Sequence, residues 1–310
     1  MFFVQALCSF FQESKNPVSE NLLAVFYALA SAIGAATFSL IVRRAQNHGS
    51  AFTGVVIGLI VNIPWLCLAT FLLWQDSWWN TKAFLLFALS GLSGPSLGRL
   101  FMFRAIHQLG VSRASPMLSM NPLFSAFFAF MFLGERPGHY IWLGTLLVVI
   151  GGASLSLRTK KDIEWKRISL LLPIISVLGF SVSNIFRKLG VDIVPSPILG
   201  ITITSISGLF SLYFFSLFSS KENKPDLSWG KSWWLYGISG FINTLAFLSH
   251  YAALVYGDLT IVSPLTATAP FFALFMSWLL LRDVERVTLP ILIGTILIVS
   301  GGLLIVMKLI

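Results

Sequence analysis

Polar side chains recur at helical spacing inside segments that are otherwise apolar. Residues three or four positions apart share one face of a helix, and polar residues within apolar helices face the bundle interior or water rather than lipid. This pattern predicts the binding of a small solute in a cavity between helices. The predicted substrate-facing residues are Ser93, Ser96, Arg99, Ser115, Ser119, Asn184, Tyr236, Asn243, His250, Ser263 and Thr266.

The charges within these segments predict the sign of the solute. All twelve acidic residues lie in tails, connectors or segment ends, whereas a transporter of lipophilic cations needs a carboxylate within the membrane. The side chains available are Arg99, Arg104 and His250, so we expect an anionic or zwitterionic metabolite such as an amino acid. Histidine titrates near neutral pH, which makes His250 a candidate for proton coupling; a buried structural hydrogen bond is its alternative role.

Structural roles compete with solute binding at several positions. Ser and Thr stripes also serve helix packing or satisfy backbone groups. Arg104, His107 and Arg187 lie near predicted segment ends, where long basic side chains snorkel to the interface, so they stay outside the predicted site. Glu135 and Asp283 lie in tight connectors, where we expect each to cap a helix or to pair with a nearby arginine.

The sequence offers no pattern typical of a catalytic or metal site. We find no constellation of acids, histidines or an activated nucleophile, no phosphate-binding loop and no zinc-ligand spacing. Cys8 and Cys67 are too few and too far apart to predict a disulfide framework. The net charge of +9 comes mainly from connectors, which indicates membrane-surface charge rather than nucleic acid. We therefore predict no cofactor.

The elements that carry these residues are predicted to be membrane-spanning helices. Of 310 residues, 56% are hydrophobic and 11% are charged, against about 25% charged in soluble domains. Charge-free runs such as 51–74 are long enough to cross a hydrocarbon layer of about 30 Å. The predicted spans 1 to 10 are 22–42, 51–74, 83–108, 111–133, 138–157, 168–187, 196–218, 232–256, 260–281 and 287–307.

The chain divides into two similar halves. WLGTLLVVIGG in the first half matches LIGTILIVSGG in the second, and their aligned glycines predict close helix approach. The predicted organisation is a tail (1–21), a five-span repeat (22–157), a basic linker (158–167) and a second five-span repeat (168–310). An odd number of spans inverts the second repeat, and inverted repeats are typical of secondary transporters with a site between them.

Prolines interrupt spans 4 and 9 at matching positions. Pro116 and Pro122 align with Pro264 and Pro270. A proline within a helix removes a backbone hydrogen bond and kinks the helix, which is tolerated in a membrane where side chains or a water-filled cavity satisfy the freed groups. The four prolines predict kinks that border a cavity. Two purely structural kinks are the alternative.

The segment FLGERPGHYIWLGTLLVVIGG, together with the proline-containing fourth and ninth spans, resembles the repeat of the drug/metabolite transporter superfamily, in particular its EamA-type ten-helix members. The resemblance implies a multi-pass protein of the bacterial inner membrane that exports or exchanges a solute by alternating access. It also implies a central cavity lined by spans 1, 3, 4, 6, 8 and 9. The expected partners are a small-molecule substrate and the lipid bilayer, with a monomer as the simplest assembly.

Alternatives remain for function and orientation. A non-transporting membrane protein is one alternative function, and an integral-membrane enzyme is another. The resemblance places both termini in the cytoplasm, whereas the connectors on the opposite side carry more Lys and Arg. The positive-inside rule would put those connectors in the cytoplasm, so both orientations stay open.

Overall fold

The computed structural model describes residues 17–45, 51–109, 111–156, 167–217, 230–280 and 289–307. Within these ranges nearly every residue is helical and no strand occurs, so the predicted all-α class is confirmed. Most of the basic linker and most of the predicted N-terminal tail lie outside the described residues. The first helix begins at Pro17, earlier than predicted, with Glu20 in its first turn, where a negative charge favours a helix start.

The helices group into ten spans separated by short connectors. A 3₁₀ turn, Asp76–Trp78, lies between spans 2 and 3. In chain order the spans are Pro17–Ala45; Ala51–Leu72; Thr81–Gly91 continued by the π-helical segment Leu92–Gly98 and by Arg99–Leu109; Val111–Leu118 and Asn121–Phe128 continued by Ala129–Leu133; His139–Ser156; Arg167–Leu170 continued by Leu171–Ile193; Pro197–Leu217; Lys231–Tyr256; Leu259–Thr266 and Ala269–Leu280; and Leu289–Met307.

The spans are long and apolar enough to cross a bilayer. By length and composition, eight helical stretches of the described residues qualify as membrane spans. The apolar stretches of spans 5 and 10, His139–Leu155 and Leu292–Met307, are shorter. The chain is therefore a multi-pass membrane protein. Because successive spans alternate in direction, two sides can be defined: the terminal side, where span 1 begins and span 10 ends, and the linker side, where the 158–167 linker lies.

The packing of the spans reflects a two-fold relation between the repeats. Span 1 packs on span 8 and span 3 on span 6, while spans 2, 4 and 5 pack on spans 7, 9 and 10. Exchanging the two repeats leaves this set of pairs unchanged. Since each repeat crosses the membrane five times, the repeats are inverted relative to each other, as predicted.

Spans 4 and 9 are both broken helices. Pro116 and Pro264 lie inside the first half of each span, and the second halves begin at Asn121 and Ala269, each followed directly by a proline. Hydroxyl groups beside the breaks donate to backbone carbonyls: Ser119 Oγ to Ser115 O at 3.0 Å, and Thr266 Oγ1 to Ser263 O at 2.9 Å.

Glycines allow spans 5 and 10 to touch through their backbones. A Cβ atom at Gly144 would lie 2.7 Å from the carbonyl oxygen of Gly301, and one at Gly151 would lie 2.7 Å from that of Gly294. The predicted close approach is confirmed for these residues. Gly152 differs, because a Cβ there would make ordinary contact with Ser119 at 3.4 Å.

Candidate functional site

A cavity of about 560 Å³, counting the space at its open side, lies between the two repeats. Its lining combines backbone-exposing glycines with amides, hydroxyls, aromatic rings and two arginines. The lining residues are Phe38, Gly54, Val55, Gly58, Leu59, Asn62, Pro95, Arg99, Arg187, Ile201, Thr204, Ser205, Gly240, Asn243, Thr244, Phe247 and Tyr251. They belong to spans 1, 2, 3, 6, 7 and 8.

Arg187 is a buried cation that its neighbours hold in one position. Its side chain is only 4% exposed. Nε donates to Ser90 Oγ at 3.3 Å and Nη1 to Asn184 Oδ1 at 3.2 Å. The guanidinium carbon lies 4.9 Å from the ring centre of Phe247 and 5.7 Å from that of Tyr251, within the range of cation–π attraction. The structure therefore fixes this charge at the cavity wall.

Hydroxyl groups extend the network around Arg187 across four spans. Ser183 Oγ donates to the carbonyl oxygen of Ser90 at 2.8 Å, and Thr204 Oγ1 lies within hydrogen-bonding distance of both Ser90 Oγ and the hydroxyl of Tyr251. These residues come from spans 3, 6, 7 and 8. Because the network is buried, its hydrogen bonds link the repeats in an environment of low dielectric constant, where they are stronger than in water.

Arg99 follows an irregular part of span 3. The helix widens to π geometry over Leu92–Gly98, which contains Pro95, and π segments in α-helices frequently mark functional sites. Glycine permits the close packing here, since a Cβ at Gly98 would lie 3.2 Å from the Phe180 ring. Arg99 Nε is buried, and no hydrogen-bond partner for it occurs within the described part of the chain.

The two guanidinium groups have no carboxylate partner among the described residues. The ion pair that the described ranges do contain joins Lys188 to Asp192 at 3.0 Å and includes neither arginine. A positively charged, partly desolvated cavity favours an anion, because the attraction between opposite charges strengthens as water is excluded. Over the same ranges, no cluster of three metal-ligating side chains occurs.

The predicted substrate-facing residues are distributed over several environments. Arg99 and Asn243 line the cavity, and Asn184 lies directly behind it, bonded to Arg187 and, through Nδ2, to Ser125 Oγ at 3.1 Å. His250 is 6% exposed and is absent from the lining; its ring packs edge-on against Phe247.

The remaining predicted residues lie outside the cavity lining. Ser93 Oγ donates to Leu89 O and Ser96 Oγ pairs with Ser211 Oγ. Tyr236 is fully buried in a small cluster with Ala45 and Ile57. The other four contribute to the broken spans: Ser115, Ser119, Ser263 and Thr266.

Two expectations from the sequence are wrong. Arg187 was predicted to snorkel to the interface, but span 6 continues to Ile193, so its guanidinium lies inside the bundle. The cavity was expected to include spans 4 and 9; spans 2 and 7 line it instead, and the breaks at the prolines contribute no lining residue. The broken helices pack against each other and against span 1 or span 6.

Sequence reasoning also missed Asn62, Thr204 and Tyr251. A signal existed for Asn62, which is a lone amide in the apolar run VVIGLIVNIPW and stands close to Pro64. Its Oδ1 accepts a hydrogen bond from Trp65 Nε1 at 3.0 Å. Thr204 and Tyr251 have no comparable signal, because hydroxyl-bearing residues are common in these spans.

Glu135 caps a helix, as predicted. It lies in the connector after span 4, and its two carboxylate oxygens accept hydrogen bonds from the backbone N–H groups of Leu259 at 2.9 Å and Thr260 at 2.8 Å. These residues begin span 9. Burial raises the pKa of Glu135 above its ordinary value, the hydrogen bonds from Thr260 and Leu259 oppose the rise, and the nearby Asp258 adds to it. Asp283, the second predicted cap, lies outside the described residues.

Comparisons with known proteins agree with this architecture. A crystal structure of another protein superposes with a TM-score of 0.74, covering 91% of this chain and 95% of that one at 16% identity, which supports the fold alone. Protein LicB of Haemophilus influenzae is 28% identical over 133 residues, or 43% of this chain and 41% of that protein.

Two further relatives match over similar lengths. A putative sugar uptake protein of Lactiplantibacillus plantarum is 32% identical over 135 residues, or 42% of this chain and 45% of that protein. A triose phosphate/phosphate translocator of Brassica oleracea is 28% identical over 121 residues, or 39% of this chain and 29% of that protein. The matched stretches thus cover less than half the length of each of these relatives.

The family assignment rests on a match to both repeats. Residues 22–157 and 167–307 each match the model of one transporter family, and these ranges contain all ten spans apart from the first residues of span 1. The chain belongs to the EamA-like transporter family.

Proposed function

We propose that this protein is a secondary transporter that carries a small organic anion by alternating access around the cavity between its repeats. The observation that carries the proposal is the pair of cavity-lining arginines, Arg99 and Arg187, without a carboxylate partner among the described residues. Buried charges are usually paired, so an anionic solute would supply the missing partner. The family and the names of the relatives favour transport over catalysis.

The two arginines have different roles in this proposal. Arg187 is held by Asn184, Ser90 and two aromatic rings, so it contributes a fixed positive field. Arg99 Nε has no described partner and is free to donate to a carboxylate or phosphate oxygen, for which the planar guanidinium is well suited. Arg99 is therefore the residue that binds the anion.

The solute class follows from the same charges. An amino acid would bring a carboxylate for Arg99, but its ammonium group would find no described carboxylate in the lining. A carboxylate or phosphate ester without a positive charge fits better, and one relative is named as a triose phosphate/phosphate translocator. We place the protein in the bacterial inner membrane, in keeping with its bacterial relatives.

A neutral sugar is the second candidate solute. The amides of Asn62 and Asn243 and the hydroxyls of Thr204, Ser205 and Thr244 line the cavity, and such groups can bind sugar hydroxyls. One relative carries the name of a putative sugar uptake protein. The arginines distinguish the candidates, because a sugar would leave both charges unpaired.

Thermal unfolding of the purified full chain in detergent tests the proposal. We expect inorganic phosphate, phosphoenolpyruvate or a triose phosphate to raise the Tm, since a ligand that binds the folded state stabilises it. Glucose, choline and neutral amino acids should raise it less. In the Arg99→Gln variant we expect the apparent Kd for the best anion to rise roughly 10- to 100-fold, the loss expected for hydrogen bonds to a charged group.

Arg104→Gln is the matched control on the same span. The Arg104 side chain is exposed and lies beside the Phe101 ring rather than in the cavity, so its removal should leave the anion-induced Tm shift unchanged. Stabilisation by choline or glucose without any response to anions would contradict the proposal. So would equal anion affinity in the parent and the Arg99→Gln variant.

A further inference from the structure

The larger hydrophobic core is confined to one half of the membrane-spanning bundle. Each of its buried residues lies in the half of its span nearest the terminal side, or in the adjoining connector; they include Phe87, Val191, Leu199, Leu254, Leu259 and Val262. On the linker side, the second cluster of described buried residues consists of Ala45, Ile57 and Tyr236. Within the described residues, the terminal side is therefore closed by packed apolar side chains.

The terminal-side core borders the cavity. Ile201 and Tyr251 belong both to the terminal-side core and to the cavity lining. The core thus forms the terminal-side wall of the cavity, while Phe38 and Gly54 line the part of the cavity nearer the linker side.

The carboxylate of Glu135 joins the repeats on the terminal side. Glu135 follows the last helix of span 4 and bonds to two successive N–H groups of span 9, at 2.9 Å and 2.8 Å. Leu259 and Thr260, which provide those groups, are almost fully buried. The first N–H groups of a helix need acceptors from outside it, and Asp258, the preceding residue, makes no side-chain cap. Glu135 therefore supplies the cap from the other repeat.

We propose that Glu135 is the latch of the terminal-side gate: it holds span 4 against span 9 while the terminal side is closed, and the gate opens when its two hydrogen bonds break. Separating the spans would break both hydrogen bonds and remove the acceptors that the first N–H groups of span 9 find in the other repeat. The latch makes no contact with the cavity and acts whatever solute is carried.

Cysteine accessibility tests the latch in the full chain purified in detergent. In a background with Cys8→Ser and Cys67→Ser, the substitution Ala253→Cys places one thiol in the terminal-side core, at a position that is fully buried. We expect Glu135→Ala to raise the labelling rate of this thiol by a hydrophilic maleimide roughly tenfold or more, because the closed state loses two hydrogen bonds to a charged group.

A second thiol distinguishes a gate from general loosening. Phe38→Cys, made in the same background, reports on the linker-side part of the cavity. If Glu135→Ala shifts the protein toward a terminal-open state, labelling of F38C falls or stays constant while labelling of A253C rises. An equal rise at both positions would show that Glu135 only stabilises packing, and an unchanged A253C rate would also overturn the latch.

A conservative variant covers the case in which the alanine variant does not fold. Glu135→Asp keeps the charge but shortens the side chain by one methylene, so the carboxylate cannot reach both N–H groups at the observed distances. We expect faster labelling of A253C in this variant as well. A rate equal to that of the parent would overturn the proposal.

Discussion

At the scale of single residues, two buried polar side chains near the cavity differ in their hydrogen bonding. Asn184 is buried and bonded on both sides, to Arg187 and to Ser125. His250 is equally buried, but its Nε2 has no hydrogen-bond partner among the described residues. Burying a polar group without a partner costs about 1–3 kcal/mol, and such costs persist mainly at functional sites. The two residues should therefore respond in opposite ways to an apolar substitution.

Thermal unfolding of two leucine variants measures this difference. His250→Leu removes an unpaired polar atom, and we expect the free energy of unfolding to rise by about 1 kcal/mol. Asn184→Leu breaks two hydrogen bonds and leaves the Arg187 guanidinium with fewer partners, so we expect a loss of about 2–3 kcal/mol. Equal destabilisation by both substitutions would show that His250 does have a structural partner.

At the scale of elements, spans 5 and 10 depend on two glycine contacts. The backbones meet where Gly144 faces Gly301 and where Gly151 faces Gly294. Neither contact can accept a methyl group unless the helices separate, because the opposing atoms are backbone carbonyl oxygens. Small residues of this kind let membrane helices approach closely and gain packing energy.

Alanine substitutions at two neighbouring glycines compare a position that has no room for a methyl group with one that has room. Gly151→Ala would place a Cβ atom 2.7 Å from Gly294 O, and we expect a loss of about 1–3 kcal/mol, the cost of overpacking. Gly152→Ala meets nothing closer than 3.4 Å and should be neutral or slightly stabilising, because alanine favours a helix over glycine. Similar Tm values for the two variants would contradict the proposed role of the span 5 and span 10 contact.

At the scale of the whole molecule, the closed terminal side couples to protonation through Glu135. Burial raises the pKa of this carboxyl in the closed state, whereas an open gate would expose it to water and return its pKa toward the ordinary value. The closed state then binds the proton more tightly than the open state. By linkage, acidification favours the closed state, and this effect disappears above the raised pKa.

The pH dependence of A253C labelling checks whether acidification favours the closed state. Between pH 7.5 and pH 5 we expect the labelling rate of the parent to fall more than that of a Glu135→Gln variant, which cannot titrate at this position. The ratio of the two rates cancels the pH dependence of the thiol reagent itself. A ratio that stays constant, or that rises on acidification, would show that protonation does not favour the closed terminal side.

The amino-acid sequence by itself determined the membrane class, the ten spans, the two repeats and the positions of the breaks in spans 4 and 9. Each of these follows from local pattern: charge-free length, repeated motifs and the missing N–H group of proline. The cap made by Glu135 was also predictable in kind, since an acidic residue in a tight connector is suited to a helix N-terminus. Which helix Glu135 caps was not predictable, because that helix is distant in sequence.

Only the tertiary structure decided which polar residues converge. Arg187 lies inside the bundle rather than at the interface, because span 6 extends to Ile193. Asn62, Thr204 and Tyr251 reach the cavity through the packing of spans 2, 7 and 8. In spans this uniformly apolar, helical periodicity cannot distinguish the lipid face from the cavity face. The face that each span presents is set by its contacts with the other repeat.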